Sequence, residues 1–126
     1  MAEIGLNVVG NQALITLTTD VTLYNVSDYD PRSGSNLTVA YRAFEPRLII
    51  ATNRNTASSS LVDLYDVDRT NAVTATGTPR YSIQLAAGET KFIKEDELQG
   101  VRFYLDVDVI ASVITLWMAI FGHEVD

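Results

Sequence analysis

Residues 109–121 read VIASVITLWMAIF, thirteen positions without a charge. This stretch decides the fold class. As a helix it falls short of the roughly 20 apolar residues that a bilayer span requires. It is also flanked by Asp106, Asp108 and Glu124 and interrupted by Ser112 and Thr115. As a strand it places Ser112, Ile114, Leu116, Met118 and Ile120 on one side and Val113, Thr115, Trp117, Ala119 and Phe121 on the other. A half-exposed strand alternates apolar with polar residues, whereas this one is apolar on both sides. Either it is a central strand covered on both faces, or its second face is covered by another chain. The outer face of a two-sheet sandwich of this size normally meets water. The reading therefore favours a subunit interface, with Leu116, Trp117, Met118, Ile120 and Phe121 at the contact.

The rest of the chain supports strands. Val, Ile and Thr make up 35 of the 126 residues. These β-branched types are stiff at χ1 and suit a pleated surface. No long segment carries a capped apolar stripe at helical spacing. Short runs separated by turn residues recur instead: 13–19, 21–26, 47–53, 61–67, 81–85, 90–94 and 101–105. Pro31, Gly34 and their neighbours mark a loop over 27–36, and 68–79 forms a second excursion. Gly88 suits the turn between 85 and 90 because it adopts positive φ without steric cost. Residues 37–44 fit a short helix or an edge strand equally. The expected fold is all-β: a single antiparallel β-sandwich, or a jelly-roll-like barrel, of seven or eight strands. Residues 1–12, with Gly5, Asn7, Gly10 and Asn11, read as an N-terminal arm, leaving 13–126 as the sandwich domain.

Composition narrows the chemistry. The chain has no cysteine, one histidine and a formal charge of −7. It has no thiolate nucleophile, disulfide or cysteine-ligated zinc. The acidic balance argues against nucleic acid, whose affinity comes from clustered Lys and Arg. A serine–histidine pair would have to use His123, with Ser58, Ser59 and Ser60 as the nearest serine run. The spaced acids Asp28 and Asp30, Asp66 and Asp68, and Asp106 and Asp108 suggest oxygen ligands for calcium, but none continues into a calcium-loop pattern. Their plainer role is to end strands and keep edges soluble. Tyr29 with Asp28, Asp30 and calcium would make a lectin-like site. The glycines are too dispersed for a phosphate loop. The expectation is a protein that is not an enzyme, with no cofactor, no metal, no nucleic acid and no membrane partner.

From Arg47 onward the order of features resembles small β-sandwich virion proteins of tailed bacteriophages. The elements are the strand 47–53 ending in Asn53, the strand 61–68, the short strand 81–85, and the turn Ala86, Ala87, Gly88, Glu89, Thr90. Phe92–Ile93 and the link Leu98 to Phe103 follow. The resemblance covers residues 47–121 and rests on strand spacing and turn type. It implies a capsid decoration, or cement, protein that works in the virion after assembly in the host cytoplasm. It would act as a symmetric homo-oligomer, with a trimer favoured, bound to the major capsid protein or another virion protein. Ile4, Leu6, Val8 and Val9 of the arm would contact the capsid. A head–tail adaptor or tail ring subunit is the alternative within the virion.

Overall fold

The computed structural model describes residues 8–16, 18–25, 43–67, 78–104 and 106–125. Within them run eight strands: β1 (Val9–Ile15), β2 (Val21–Asn25), β3 (Ala43–Asn53), β4 (Ser60–Val67), β5 (Tyr81–Leu85), β6 (Thr90–Ile93), β7 (Asp106–Ala111) and β8 (Leu116–Val125). They form two four-stranded antiparallel sheets, ordered β1-β8-β3-β6 (sheet A) and β2-β7-β4-β5 (sheet B). The fold is the expected all-β sandwich. Its pairings join β1 to β8, β2 to β7, β3 to β6 and β4 to β5. The first half of the chain thus runs back along the second half, and the ribbon is rolled so that β3 also meets β8 and β4 also meets β7. That is the double Greek-key order of a jelly roll, here as two open sheets.

Alternation within the strands builds the core. Ile15 of β1, Ile49 and Ala51 of β3, and Leu116, Met118 and Ile120 of β8 point inward from sheet A. Leu23, Val62, Leu64, Ile83, Leu85, Val107, Val109 and Ala111 meet them from sheet B. Phe44 and Phe103 close one end, where their backbones exchange hydrogen bonds of 2.8 and 3.0 Å. Tyr24 stacks on Phe44 with ring centroids 4.5 Å apart and donates its hydroxyl to Glu124, tying β2 to β8 across the sheets. Burial, together with the hydrogen bond and charge of Glu124, pushes the Tyr24 phenol well above its usual range.

Four expectations change. The apolar run 109–121 is two strands, not one. Residues 112–115 turn the corner from β7 in sheet B to β8 in sheet A. The polar atoms of the run pin that corner: Leu61 N–H donates to the Ser112 hydroxyl at 2.9 Å, and Arg54 N–H donates to the Thr115 carbonyl at 2.9 Å. The arm boundary also moves. Residues 9–12 belong to β1, held in register against 119–122 of β8. Third, β3 starts at Ala43 and passes through Pro46 at a register shift between Pro46 and Leu48. A missing N–H is tolerated at such a bulge. Finally, residues 101–104 are not a strand: among them only Phe103 forms a bridge, to Phe44, and residue 105 lies outside the described residues. The loop 27–36, most of 37–44 and most of 68–79 lie outside the described residues.

Candidate interaction surface

The two outer faces differ in chemistry. The ordinary rule for such a sheet is polar outside and apolar inside, and the outer face of sheet B follows it in part, with Thr22, Asp63, Ser82 and Gln84 beside Leu61, Tyr65 and Ile110. Its outward positions include Thr22 opposite Asp108, and Asp63 opposite Ser82. The outer face of sheet A breaks that rule. Because Leu116, Met118 and Ile120 turn inward, their neighbours Trp117, Ala119 and Phe121 turn outward. Cross-strand register extends them into three rows. One row is Leu14, Trp117, Thr52 and Thr90; the next is Gln12, Ala119, Ile50 and Phe92; the third is Gly10, Phe121 and Leu48. None of these eleven residues is charged, and seven are apolar. Thr52 and Thr90 satisfy one another through a 2.8 Å hydroxyl contact. Phe92 is 58% exposed and Leu14 is 48% exposed, so the apolar patch opens to solvent at both margins of the sheet. Exposed apolar patches with a polar rim mark interaction sites. A charged cluster flanks this one beyond Leu48: Arg47 pairs with Glu45 at 3.7 Å and with Glu95, and Arg102 pairs with Glu45.

This geometry divides the five residues expected at the oligomer contact. Leu116, Met118 and Ile120 are fully buried in the chain's own core and present nothing to a partner, which corrects their assignment. The second sheet accounts for the inner apolar face of β8, and the outer one, with Trp117 and Phe121, belongs to the exposed face of sheet A. Trp117 and Phe121 lie on the outer face and are half-buried. Leu14, Leu48, Ile50 and Phe92 join them from three other strands. Sequence inspection missed these four because only the register reveals that they share a face. Among the four residues expected at the capsid, Val8 is exposed, whereas Val9 packs against the core from β1 and is corrected to a core-edge residue. Ile4 and Leu6 lie outside the described residues.

The other candidates disperse. Asn53 is paired with Leu116, and Glu45 with His123, at opposite ends of the β3–β8 ladder. The serine turn follows Asn53, so it is separated from His123 by roughly 23 Å at 3.3 Å per residue. Asp28, Tyr29, Asp30 and Asp68 lie outside the described residues. Asp66 accepts the Tyr104 N–H with both oxygens at 3.1 Å and meets Arg80 at 3.4 Å, a structural clasp between β4 and the bridge segment. Asp106 opens β7, as a strand-ending acid would, and Asp108 lies within the strand. They lie in central β7 and are only 1% and 5% exposed. Burial first, then the hydrogen bond and charge of Asp20 and the charge of Asp106, push Asp108 up to about 7, against a smaller opposing hydrogen bond from Thr22. The spacing that suggested solvent-facing acids is real, but nothing local in the sequence shows that the strand bearing them is internal. Among the described residues, no group of three or more His, Cys, Asp or Glu side chains is arranged to hold a metal. No helix of the described residues is long and apolar enough to cross a membrane. Comparison of the chain with protein-family models, with curated proteins and with solved structures returns no match.

Proposed function

We propose that this chain is a structural component of a virion. In this reading it decorates and stabilises a capsid by burying the outer face of sheet A against its neighbours in the particle. The observation that carries the reading is that face: an uncharged, largely apolar surface on a chain of net charge −7. The outer face of sheet B lacks such continuous rows, because Asp63 and its partner Ser82 stand between Leu61 and Tyr65 there, so the face of sheet A is the more adhesive of the two. Its work would be mechanical. Apolar area contributes roughly 25 cal/mol per Å² when removed from water, offset by the cost of association. Repetition over many copies makes a modest contact per chain sufficient to hold neighbouring capsid subunits together. The jelly-roll order is used by viral capsid proteins, but also by lectins and cupins. The reading therefore rests on the surface and not on the architecture.

Co-sedimentation with assembled capsids tests it. The wild-type chain is expected to pellet with capsids. The double variant Leu14→Lys/Phe92→Lys is expected to stay in the supernatant while keeping its β-sheet circular dichroism and melting temperature, because both side chains are already exposed. Failure of the wild type to pellet, or equal pelleting of the variant, would overturn the reading.

A further inference from the structure

The four sheet edges are not alike. Natural edges are blunted against pairing by shortness, bulges, prolines or lysines. Edge strand β2 has five residues and a register shift between Thr22 and Tyr24. Edge strand β5 has five residues, and β6 has four, with Lys91 inside it and Lys94 just beyond. Edge strand β1 has none of these devices. Its seven residues, Val9–Ile15, contain no charge and no proline, and its register against β8 is unbroken. Gly10, Asn11, Gln12 and Leu14 are exposed. Among the described residues, no strand pairs with the side of β1 away from β8. Gly and Asn are also poor strand formers, so β1 is held by its partner more than by propensity.

We propose that β1 is a self-pairing edge: two copies of this chain join β1 to β1 antiparallel, making sheet A continuous across a two-fold axis. The pattern of the strand is self-complementary for this. Val9, Asn11, Ala13 and Ile15 face inward, where Asn11 donates to the Leu23 carbonyl at 2.9 Å. Gly10, Gln12 and Leu14 face outward. An antiparallel pairing keeps inner residues beside inner residues only when the paired residue numbers sum to an even value, which centres the axis on a residue. Overlap of all seven positions centres it on Gln12. Val9 then faces the other copy's Ile15, Gly10 faces its Leu14, and Gln12 faces itself. Any charge near such an axis would meet its own like charge. Edge strands β2 and β5 also lack charge but are short, whereas β1 stays free of charge over seven residues in unbroken register, which is what a two-fold strand pair needs. The outer apolar rows of the two copies would become one surface, since Leu14 sits next to Trp117 at the joined edge. This contact is two-fold where the sequence favoured a trimer. It concerns the isolated protein, so it stands or falls separately from capsid binding.

The chain's lack of cysteine makes the test clean. Opposed residues of antiparallel strands have Cα atoms about 4.5–5.5 Å apart, within disulfide range. The variant Gln12→Cys is expected to form a dimer that reducing agent dissolves, whereas Gln84→Cys on the exposed part of edge strand β5 is not. Sedimentation of the wild type is expected to give twice the chain's 13.8 kDa at micromolar concentration. Gln12→Lys, with its like charges opposed across the axis, is expected to weaken dimerisation about tenfold or more while leaving the melting temperature of the monomer unchanged. A wild-type monomer, a Gln12→Cys chain that stays uncrosslinked while folded, or a dimer dissolved by Phe92→Lys but not by Gln12→Lys would overturn the proposal.

Discussion

Gly122 shows how little room a single position in β8 allows. A Cβ there would stand 2.1 Å from the Glu45 carbonyl oxygen and 2.8 Å from the Pro46 Cα, both backbone atoms of the bulged strand beside it. Backbone cannot rotate aside as a side chain does. Gly122→Ala is therefore expected to destabilise the fold by about 1–3 kcal/mol, read as a lower urea midpoint at unchanged slope. Asn53 is as constrained by its hydrogen bonds. It is fully buried, donates to the carbonyls of Ser58 at 2.8 Å and Ala86 at 3.2 Å, and accepts the Asn55 N–H at 3.0 Å. One amide thus holds two turns together. Asp108 brings pH into the same scale. Its ordinary value is 3.8, and burial with the neighbouring Asp20 raises it to about 7 in the folded chain. The folded state keeps a proton that the unfolded chain releases above that ordinary value. The contribution of Asp108 to stability is therefore fully present below pH 3.8 and is lost as pH rises towards about 7. Asp108→Asn cannot ionise. Its melting temperature relative to wild type is expected to climb between pH 4 and pH 7.5, and a difference that stays flat across that range would remove the explanation.

The corner between β7 and β8 carries the lesson at the scale of elements. Thr115 there has φ of 68°, a conformation that costs a β-branched residue about 1–2 kcal/mol. Its N–H donates to the Ile15 carbonyl at 3.0 Å and its carbonyl accepts from Arg54, bonds that any residue would keep. Thr115→Gly is expected to relieve more strain than the glycine costs in unfolded-state entropy, raising the melting temperature by a few degrees. A fall would mean that the Thr115 hydroxyl, donating to the Ile114 carbonyl, holds the corner itself. The corner was hidden in the sequence because Ser112 and Thr115 are too few to punctuate thirteen otherwise apolar positions. The strands that were legible have clear ends: Asn53 stops β3, Gly88 turns between β5 and β6, and Tyr81–Leu85 alternates cleanly. Residues 9–12 were illegible for the opposite reason. Gly10, Asn11 and Gln12 are poor strand formers, and it is the ladder to β8 that makes them a strand. Residues 101–104 look extended in the sequence, but among them only Phe103 bridges to a neighbouring strand. The candidate surface followed the same limit. Trp117 and Phe121 were readable within one strand, whereas Leu14, Leu48, Ile50 and Phe92 became part of the surface only through pairings between distant segments.

For the whole molecule the decisive quantity is the contrast between its charge and its adhesive parts. Sixteen acidic and nine basic residues keep the chain soluble by mutual repulsion. Neither the three apolar rows on the outer face of sheet A nor the β1 edge contributes to that charge. In the proposed dimer two such chains would repel at long range and attract only at contact. Salt screens the first term, with a Debye length of about 10 Å at 0.1 M falling to about 3 Å at 1 M, and leaves apolar contact and backbone pairing largely untouched. Self-association of this chain is therefore expected to tighten when sodium chloride rises from 50 to 500 mM, measured by sedimentation equilibrium. Association built on the Arg47, Glu45, Glu95 and Arg102 cluster would weaken over the same range, because ion pairs between exposed side chains are what salt dissolves. The sign of the slope thus separates the uncharged surfaces from the charged rim. Gln12→Lys sharpens the comparison. It lowers the net negative charge by one and so reduces the general repulsion, yet it sets two like charges face to face at the axis. Weaker association in that variant at every salt concentration would place the contact at β1, whereas stronger association would show that overall repulsion, and not the edge, governs assembly.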